Sequence, residues 1–189
     1  MDSVTDDDLV RMYAGGDAEA FDVLFDRHYA SVFRFAQAIL GDPAAAEDVL
    51  QEAFLAAARA AATYDGRGRF RPWLMRIVRN RCLNRVESGR ARRATGPGAG
   101  PAPDTVASSR SGPVERASAR ERREAVEAAI AELPERQREA IGLYAFEQMS
   151  YREIAEVMQM PVNTIKTLIH RARANLARAL EGLVNEDPR

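Results

Sequence analysis

The residues best suited to chemistry lie near the end of the chain, in the stretch NTIKTLIHRARANLARAL at positions 163–180. This stretch carries four basic side chains and no carboxylate, although the whole protein has a net charge of only -1. At 100° per residue, one helix face collects polar and cationic groups: Asn163, Lys166, Thr167, His170 and Arg171. Such side chains donate to guanine, adenine and phosphate in the DNA major groove. The stretch therefore predicts a helix that contacts DNA.

A merely hydrated surface is the alternative interpretation of this arginine-rich face. The preceding residues favour DNA, because Ser150 and Glu153 form a capping box that begins a helix ending near 159–161. A short turn follows, and Asn163 or Thr164 is expected to cap the next helix. Two short helices joined in this way are typical of a helix-turn-helix. The second helix has an apolar stripe predicted to be buried: Ile165, Leu168, Ile169, Ala172 and Leu176.

Side chains for catalysis or metal binding are sparse. One cysteine, Cys82, rules out an internal disulfide, and two histidines leave no visible metal-ligand cluster. No nucleophile–base pair and no phosphate-cradling glycine loop are recognisable. We therefore expect no enzymatic activity, no cofactor and no small-molecule substrate.

Charge is sorted unevenly along the chain. Residues 61–93 hold ten basic and two acidic side chains, whereas residues 1–60 hold four basic and twelve acidic ones. Cationic grooves with aromatic platforms bind unstacked nucleic-acid strands. The candidates in the basic segment are Arg67, Arg69, Arg76, Arg79 and Arg81 as cations, with Tyr64, Phe70 or Trp73 as rings. Core packing is the alternative for Phe70 and Trp73, since aromatic side chains of small helical domains are often buried.

Helices must position these groups, and helical periodicity runs through both halves of the chain. One predicted helix buries a stripe of Phe21, Leu24, Phe25, His28, Val32, Ala36 and Ile39. Gly41 stops it, and Asp42 and Pro43 begin another. The new helix has an apolar face of Ala46, Leu50, Ala53, Phe54 and Ala57. Its opposite face carries Asp48, Gln51, Glu52, Leu55 and Arg59. A basic loop at 64–69 and a helix at about 72–87 follow.

The predicted fold class is all-α, with two small helical domains at 1–93 and 115–189. Residues 94–114 are rich in Gly, Pro, Ser and Ala without an apolar period, which is typical of a flexible linker. The second domain is expected to begin with a charged helix at 115–132 and to contain the helix-turn-helix. The acidic start MDSVTDDD is unlike a signal peptide, and the longest low-polarity run, 53–62, is too short to cross a bilayer. We therefore expect a cytoplasmic protein.

Residues 133–176, LPERQREAIGLYAFEQMSYREIAEVMQMPVNTIKTLIHRARANL, resemble region 4 of bacterial sigma factors of the extracytoplasmic-function (ECF) group. The family pattern is matched by Leu133, Pro134, Arg138, Ser150, Glu153, Ile154, Ala155, Thr164, Lys166, Arg171, Ala172 and Arg173. The chain departs from it at Asn163, Thr167 and Leu168, where glycine, serine and arginine are usual. GDPAAAEDVLQEAFLAAARA resembles region 2.2, and FRPWLMRIVRNRCLN resembles regions 2.3 to 2.4.

The resemblance implies a subunit that binds core RNA polymerase, directs it to promoters and helps to melt the duplex. It implies a −35 surface of Asn163, Thr164, Lys166, Thr167, His170, Arg171 and Arg173. It implies a −10 and single-strand surface of Tyr64, Arg67, Arg69, Phe70, Trp73, Arg76, Arg79, Asn80 and Arg81, with Asn80 in the pocket for a flipped base. From the residues alone, Asn80 is an ordinary exposed amide.

Three protein partners follow from the same resemblance. The face of Asp48, Gln51, Glu52 and Leu55 is expected to dock on the clamp helices of the polymerase β′ subunit, although an acidic face is more often simply solvated. The β flap and an anti-sigma factor are the others. The rival functions are a two-domain helix-turn-helix regulator, such as a response regulator, and an interaction module that sequesters a regulator. A response regulator needs an α/β receiver domain, and the first half of the chain shows no strand alternation. An interaction module would not need the basic segment at 61–93. Neither rival therefore fits the sequence well.

Overall fold

The computed structural model describes residues 4–95 and 125–184, with side chains at 4–89 and 125–181. Most of the predicted linker and the predicted helix start at 115 lie outside the described residues. The described part is helical and has no strand, as the periodicity predicts. The helices are α1 (Asp6–Ala14), α2 (Ala18–Leu40), α3 (Pro43–Ala60), a 3-10 turn (Ala61–Thr63), α4 (Phe70–Thr95), α5 (described at 125–131), α6 (Glu135–Ala145), α7 (Tyr151–Met158) and α8 (Val162–Val184).

The first helical unit is built on α2, α3 and α4, which pack against one another. Gly41 ends α2 with a φ of 70°, a conformation that glycine adopts without strain. Asp42 then caps α3 by accepting the N–H of Ala44, and Pro43 occupies the first turn. Every residue of the predicted apolar face of α3 is buried, and every residue of the opposite face is exposed. The sequence prediction for this helix is confirmed.

The N-terminal helix α1 is anchored to α2 by charge and by apolar packing. Leu9 and Val10 are buried in the common core. Asp6 Oδ2 lies 2.7 Å from His28 Nε2, and Arg27 Nη1 donates to Asp6 Oδ1 at 3.1 Å. The hydrogen bond from His28 holds the pKa of Asp6 below its usual value. His28 is therefore a core residue with a charged partner, on the stripe where the sequence placed it.

The second helical unit consists of the described part of α5 with α6, α7 and α8. The predicted capping box is present, because Ser150 Oγ accepts the Glu153 N–H while the Glu153 carboxylate accepts the Ser150 N–H. Gln159 ends α7 in the left-handed region at φ 54°. Arg138 donates to the carbonyl of Leu133 at 3.0 Å and so holds the turn between α5 and α6. Local hydrogen bonds therefore define the start of α7 and the turn between α5 and α6.

The predicted cap of the last helix was wrong. Helix α8 begins at Val162, so Asn163 and Thr164 lie inside its first turn rather than before it. The carbonyl of Pro161 accepts the first backbone bonds, from Thr164 at 2.9 Å and Ile165 at 3.2 Å. Proline is already restricted to a compatible φ, which lets the helix begin directly after it.

The two helical units pack against each other, α2 on α6 and α4 on α7. Phe35 of α2 is fully buried beside Gly142 of α6. A Cβ placed on Gly142 would lie 3.5 Å from Phe35 Cδ2, so the glycine leaves room for the ring with little to spare. A single apolar core therefore extends through the described parts of both units.

Ser150→Ala is expected to lower the free energy of unfolding by about 1 kcal/mol, because the first turn of α7 loses its side-chain acceptor. Urea denaturation followed by circular dichroism measures this change. Ser150→Thr keeps the hydroxyl and serves as the matched control. Equal stability of Ser150→Ala and the parent protein would show that the capping box contributes nothing here.

Candidate nucleic-acid interface

Helix α8 presents the predicted polar face to solvent. Asn163, Lys166, Thr167, His170 and Arg171 are all exposed, while Thr164 is half-buried. On the other side Ile165, Ile169 and Ala172 are buried, and Leu168 and Leu176 are partly buried against the same core. The Thr167 hydroxyl donates to the Asn163 carbonyl at 3.0 Å, which fixes its rotamer on the exposed face. The amphipathic division predicted from the sequence is confirmed.

Arg173 is exposed but is held by an aromatic pair that the sequence analysis missed. Its guanidinium carbon lies 4.6 Å from the centroid of the Tyr144 ring, within the range of a cation–π contact. Tyr144 stacks in turn on Tyr151, with centroids 5.5 Å apart. This arrangement orients Arg173 and joins α6, α7 and α8. Tyr144 and Tyr151 lie in other helices, 29 and 22 residues before Arg173, so no helical period relates them to it and only the structure reveals the contact.

A second candidate surface surrounds the loop at 64–69, which connects the 3-10 turn to α4. A pocket of about 310 Å³ opens there, lined by Thr63, Tyr64, Asp65, Arg67, Arg69, Pro72, Trp73, Arg76 and Glu156. Four of the predicted cation and ring residues of the −10 surface thus share it with Tyr64. Three arginines beside two aromatic rings have the composition of a site for an unstacked base and its phosphates.

The structure corrects the prediction that the Phe70 ring belongs to the −10 surface. It is 2% exposed and packs against His28, Tyr64 and Trp73 at centroid distances of 5.3, 6.0 and 5.7 Å. A ring enclosed in this way presents no face to a base. Phe70 is therefore a core residue that supports the pocket from below, and Trp73 is the half-buried ring that lines it.

Two of the predicted DNA-contacting arginines pair with carboxylates of the second unit. Arg79 Nε donates to Glu139 Oε2 at 2.5 Å, and Arg69 Nη1 donates to Glu156 Oε1 at 3.0 Å. Glu139 is 1% exposed, and burial raises the pKa of its carboxyl although Arg79 acts in the opposite direction. The surface of α4 that faces α6 and α7 is thus covered by acidic side chains of the second unit.

Glu147, also 1% exposed, is the other carboxylate buried at this junction. It accepts hydrogen bonds from Ser31 and from Arg71, and Arg34 lies 3.8 Å away. Removing one partner of such a buried pair is costly, because the remaining charge is left without solvent or counter-charge. The sequence analysis missed both glutamates, since neither breaks the helical pattern.

Arg81 points away from the pocket, toward the acidic face of α3. Its Nη1 lies 3.4 Å from Glu52 Oε2, and Arg85 donates to Asp48 Oδ2 at 2.6 Å. Asn80 and Arg76, one helical turn apart on α4, are exposed. Most of the predicted −10 residues therefore line the pocket, and one of them, Arg69, also pairs with a carboxylate of the second unit. The others lie elsewhere: Arg79 at Glu139, Arg81 beside α3, Asn80 exposed on α4 and Phe70 in the core.

The face of Asp48, Gln51, Glu52 and Leu55 is exposed, as predicted. Leu55 is 57% exposed, more than Met12 at 45% or Tyr29 at 37% in the same unit. An apolar residue ringed by acidic and amide groups suits a protein partner with a basic surface.

Within the described residues, no group of three or more His, Cys, Asp or Glu side chains is placed to hold a metal ion. Cys82 is buried, and burial raises the pKa of its thiol to about 12. It is thus a small core residue. None of the helices in the described segments has the length and hydropathy needed to cross a membrane.

Two family models match the two helical units. The model described as Sigma-70 region 2 covers residues 24–93, and that described as Sigma-70, region 4 covers residues 123–176. The RNA polymerase sigma-H factor of Pseudomonas aeruginosa is 37% identical, with 96% of both chains covered. The ECF RNA polymerase sigma-E factor of Escherichia coli is 33% identical, over 97% of this chain and 98% of the relative.

Solved structures agree with these matches. CnrH, in complex with the cytosolic domain of CnrY, aligns with a TM-score of 0.71 at 29% identity, covering 94% of this chain and 97% of that one. The sigma factor RpoE of Bartonella quintana, in complex with the anti-sigma factor NepR, aligns with a TM-score of 0.75 at 21% identity, covering 87% and 98%. Since the helical order, both family models and full-length relatives coincide, the chain belongs to the ECF group of RNA polymerase sigma factors.

Proposed function

We propose that this sigma factor, which directs RNA polymerase to promoters, reads the −35 element with α8 and the −10 element with the pocket at 64–76. The observation that supports the proposal most strongly is the exposed face of α8, with cations and amides but no carboxylate from 163 to 180. A helix that enters the major groove needs such a face, because each carboxylate would be repelled by phosphate.

On α8, we assign the base contacts to the half of the helix nearest its start. Lys166 and Arg171 lie on either side of Thr167 and His170, and Asn163 and Thr164 occupy the first turn. The N–H groups of that turn favour a phosphate, as helix starts do. Arg173, fixed over Tyr144, is placed at the edge of the face, which suits a backbone phosphate better than a base.

In the first unit, the pocket is assigned to a base of the melted non-template strand. Trp73 offers a ring, Arg67, Arg69 and Arg76 offer cations, and Asn80 offers an amide one turn further along α4. Binding of a single strand requires this combination of stacking and charge. Tyr64 lines the pocket with its ring, whereas its hydroxyl is already engaged inside the protein.

The acidic face of α3 is assigned to the β′ clamp helices of core polymerase, and the second unit to the β flap. Exposed Leu55 would supply apolar contact, and Asp48 and Glu52 would attract a basic surface. Arg81 and Arg85, which pair with these carboxylates, would have to exchange partners or accompany them into the interface.

When the two units are packed together, part of the proposed −10 surface is covered and cannot bind DNA. Arg79 and Arg69 are occupied by Glu139 and Glu156, so a phosphate must displace these carboxylates. We assign the units to 1–93 and 115–189 with 94–114 as their linker, and we propose that they separate when polymerase takes up the protein in the cytoplasm. The packed form is then a resting form with a covered −10 surface.

An anti-sigma factor is the proposed protein antagonist, since the sigma factor RpoE of Bartonella quintana, which has this fold, was captured with the anti-sigma factor NepR. A groove of about 680 Å³ between α2 and α5 is a candidate binding site for this antagonist. Its apolar lining includes Val126, Ile130 and Phe146. A helix of the antagonist placed there would contact both units at once and would stabilise the packed form.

Arg171→Ala is expected to relax the preference at one −35 position by about 1–3 kcal/mol, the usual value of a side chain that reads a base. Run-off transcription with core polymerase on a promoter library randomised across the −35 region measures it. Lys166→Ala is expected to weaken transcription as well, and an equal loss on all sequences would assign Lys166 to a phosphate instead of a base.

Arg178→Ala is the matched control on α8, because Arg178 is exposed but two turns further along. It should leave both strength and preference unchanged. If Lys166→Ala, Thr167→Ala and Arg171→Ala all keep the parental preference at full strength, α8 does not read the promoter. If the protein fails to support any run-off transcript with core polymerase, the whole proposal is overturned.

A further inference from the structure

Asp7 is a buried carboxylate that no part of the proposed function uses. It lies in the first turn of α1, is 7% exposed, and reaches out of its own helix to the loop at 64–69. Its Oδ1 accepts the Tyr64 hydroxyl at 2.7 Å, and its Oδ2 accepts the N–H of Gly68. One side chain near the start of the chain is thus bonded to two points of a loop about sixty residues away.

Tyr64 connects Asp7 to two further residues, Arg69 and Trp73. Its hydroxyl oxygen accepts the N–H of Arg69 at 3.1 Å, while its ring lies 5.1 Å from that of Trp73. Burial, together with the bond to Asp7, raises the pKa of Tyr64, so the phenol stays protonated and remains a donor. The two ends of the loop and the pocket ring are therefore joined through a single carboxylate.

The backbone of this loop needs such a restraint. Gly66 and Gly68 have φ values of 63° and 69°, and glycine samples many conformations besides these. Holding two glycines in one conformation costs entropy, which specific hydrogen bonds must offset. The Gly68 bond to Asp7 restrains one of them directly, and it sets the direction in which the flanking Arg67 and Arg69 project.

A purely structural role in fixing α1 is the alternative for Asp7. That helix is already held by Leu9 and Val10 in the core and by Asp6, which pairs with His28 and Arg27. Asp7 instead accepts hydrogen bonds from Tyr64 and Gly68 of the loop. Its removal should thus change the loop more than the helix.

We infer that Asp7 is a positioning residue for promoter recognition, which holds the loop at 64–69 in the shape that selects the −10 base. The inference rests on the proposed assignment of this loop to the −10 element. Asp7 itself touches no DNA in this scheme and acts through Tyr64, Gly68 and Arg69.

The test uses the full chain with core polymerase on two promoter libraries, one randomised at −10 and one at −35. Asp7→Ala is expected to flatten the preference at one −10 position about tenfold, the discrimination that one specific base contact usually supplies. The −35 preference and the affinity for polymerase should stay unchanged. Asp7→Glu, which keeps the carboxylate, should restore most of the −10 preference.

Two further variants separate positioning from general damage. Tyr64→Phe should reproduce the effect, and Asp7→Ala with Tyr64→Phe should add little, because both act on one network. Asp26→Asn removes an exposed charge from the first helical unit and should have no effect. A uniform loss of transcription over all −10 sequences, with the preference kept, would overturn the inference in favour of a structural role.

Trp73→Ala and Arg67→Ala report on the proposed function independently. If they flatten the −10 preference and Asp7→Ala does not, the loop reads DNA and only the inference about Asp7 fails. If none of the three changes the −10 preference, the loop does not read that element, and both the assignment and the inference are rejected.

Discussion

The double substitution Asp48→Arg with Glu52→Arg is expected to weaken binding to core polymerase about a hundredfold, since like charges placed across an interface cost several kcal/mol. Both carboxylates are exposed on α3 and stand opposite its buried face, so the apolar core is left intact. Competition against a labelled sigma factor for core polymerase measures the affinity.

The substitution also places two arginines against Arg81 and Arg85, so a control for folding is required. Adding Arg81→Glu and Arg85→Glu restores the pairs between α3 and α4 with the opposite polarity. This fourfold variant should regain the thermal stability of the parent protein while polymerase binding stays weak. If the double variant is folded and competes as well as the parent protein, the acidic face of α3 is not the docking surface.

Gly142→Leu is expected to separate the two helical units and to expose the −10 surface of the free protein. A Cβ at this position already lies in contact with Phe35 at 3.5 Å, and the atoms beyond it would overlap the ring. Leucine is a better helix former than glycine, so α6 itself is not weakened. If the open form makes up about a tenth of the free protein, full opening strengthens apparent DNA affinity about tenfold.

Fluorescence anisotropy with a single-stranded −10 oligonucleotide measures this affinity, and small-angle scattering measures the extension of the molecule. Gly142→Ala is the matched control, because one methyl group fits at ordinary contact distance and should leave the protein packed. An extended Gly142→Leu protein with parental DNA affinity would show that packing of the units does not cover the DNA surface. The resting-form proposal would then be withdrawn.

The helices and their exposed faces follow from short-range rules that the sequence displays directly. Both faces of α3, the capping box at Ser150 and the buried stripe of α8 were predicted from spacings of three and four residues. Such spacings determine which side chains share a helix face whatever the rest of the chain does. The family motifs occupy these same helices, which is why the all-α class and the family could be predicted without coordinates.

The start of α8 and the burial of Phe70 are two features that short-range sequence patterns did not predict. Asn163 and Thr164 are good caps, yet the helix begins at Val162, directly after Pro161, so the cap position lies two or three residues earlier than predicted. Phe70 follows a basic loop, and the sequence left open whether its ring contacts DNA or packs in the core; packing against His28 and Trp73 buries it. Its neighbours in sequence are polar, whereas its neighbours in space are aromatic.

The sequence by itself determined the buried and exposed faces of α3 and α8 and the absence of carboxylates from residues 163–180. Only the tertiary structure decided that Asp7 meets Gly68, that Arg79 meets Glu139 and that Ser31 meets Glu147, across separations of 61, 60 and 116 residues. A helical period relates residues within about one or two turns, and it carries no information about which helices become neighbours. Those partners are chosen by the packing of whole faces around one core, so they emerge only when the chain is folded.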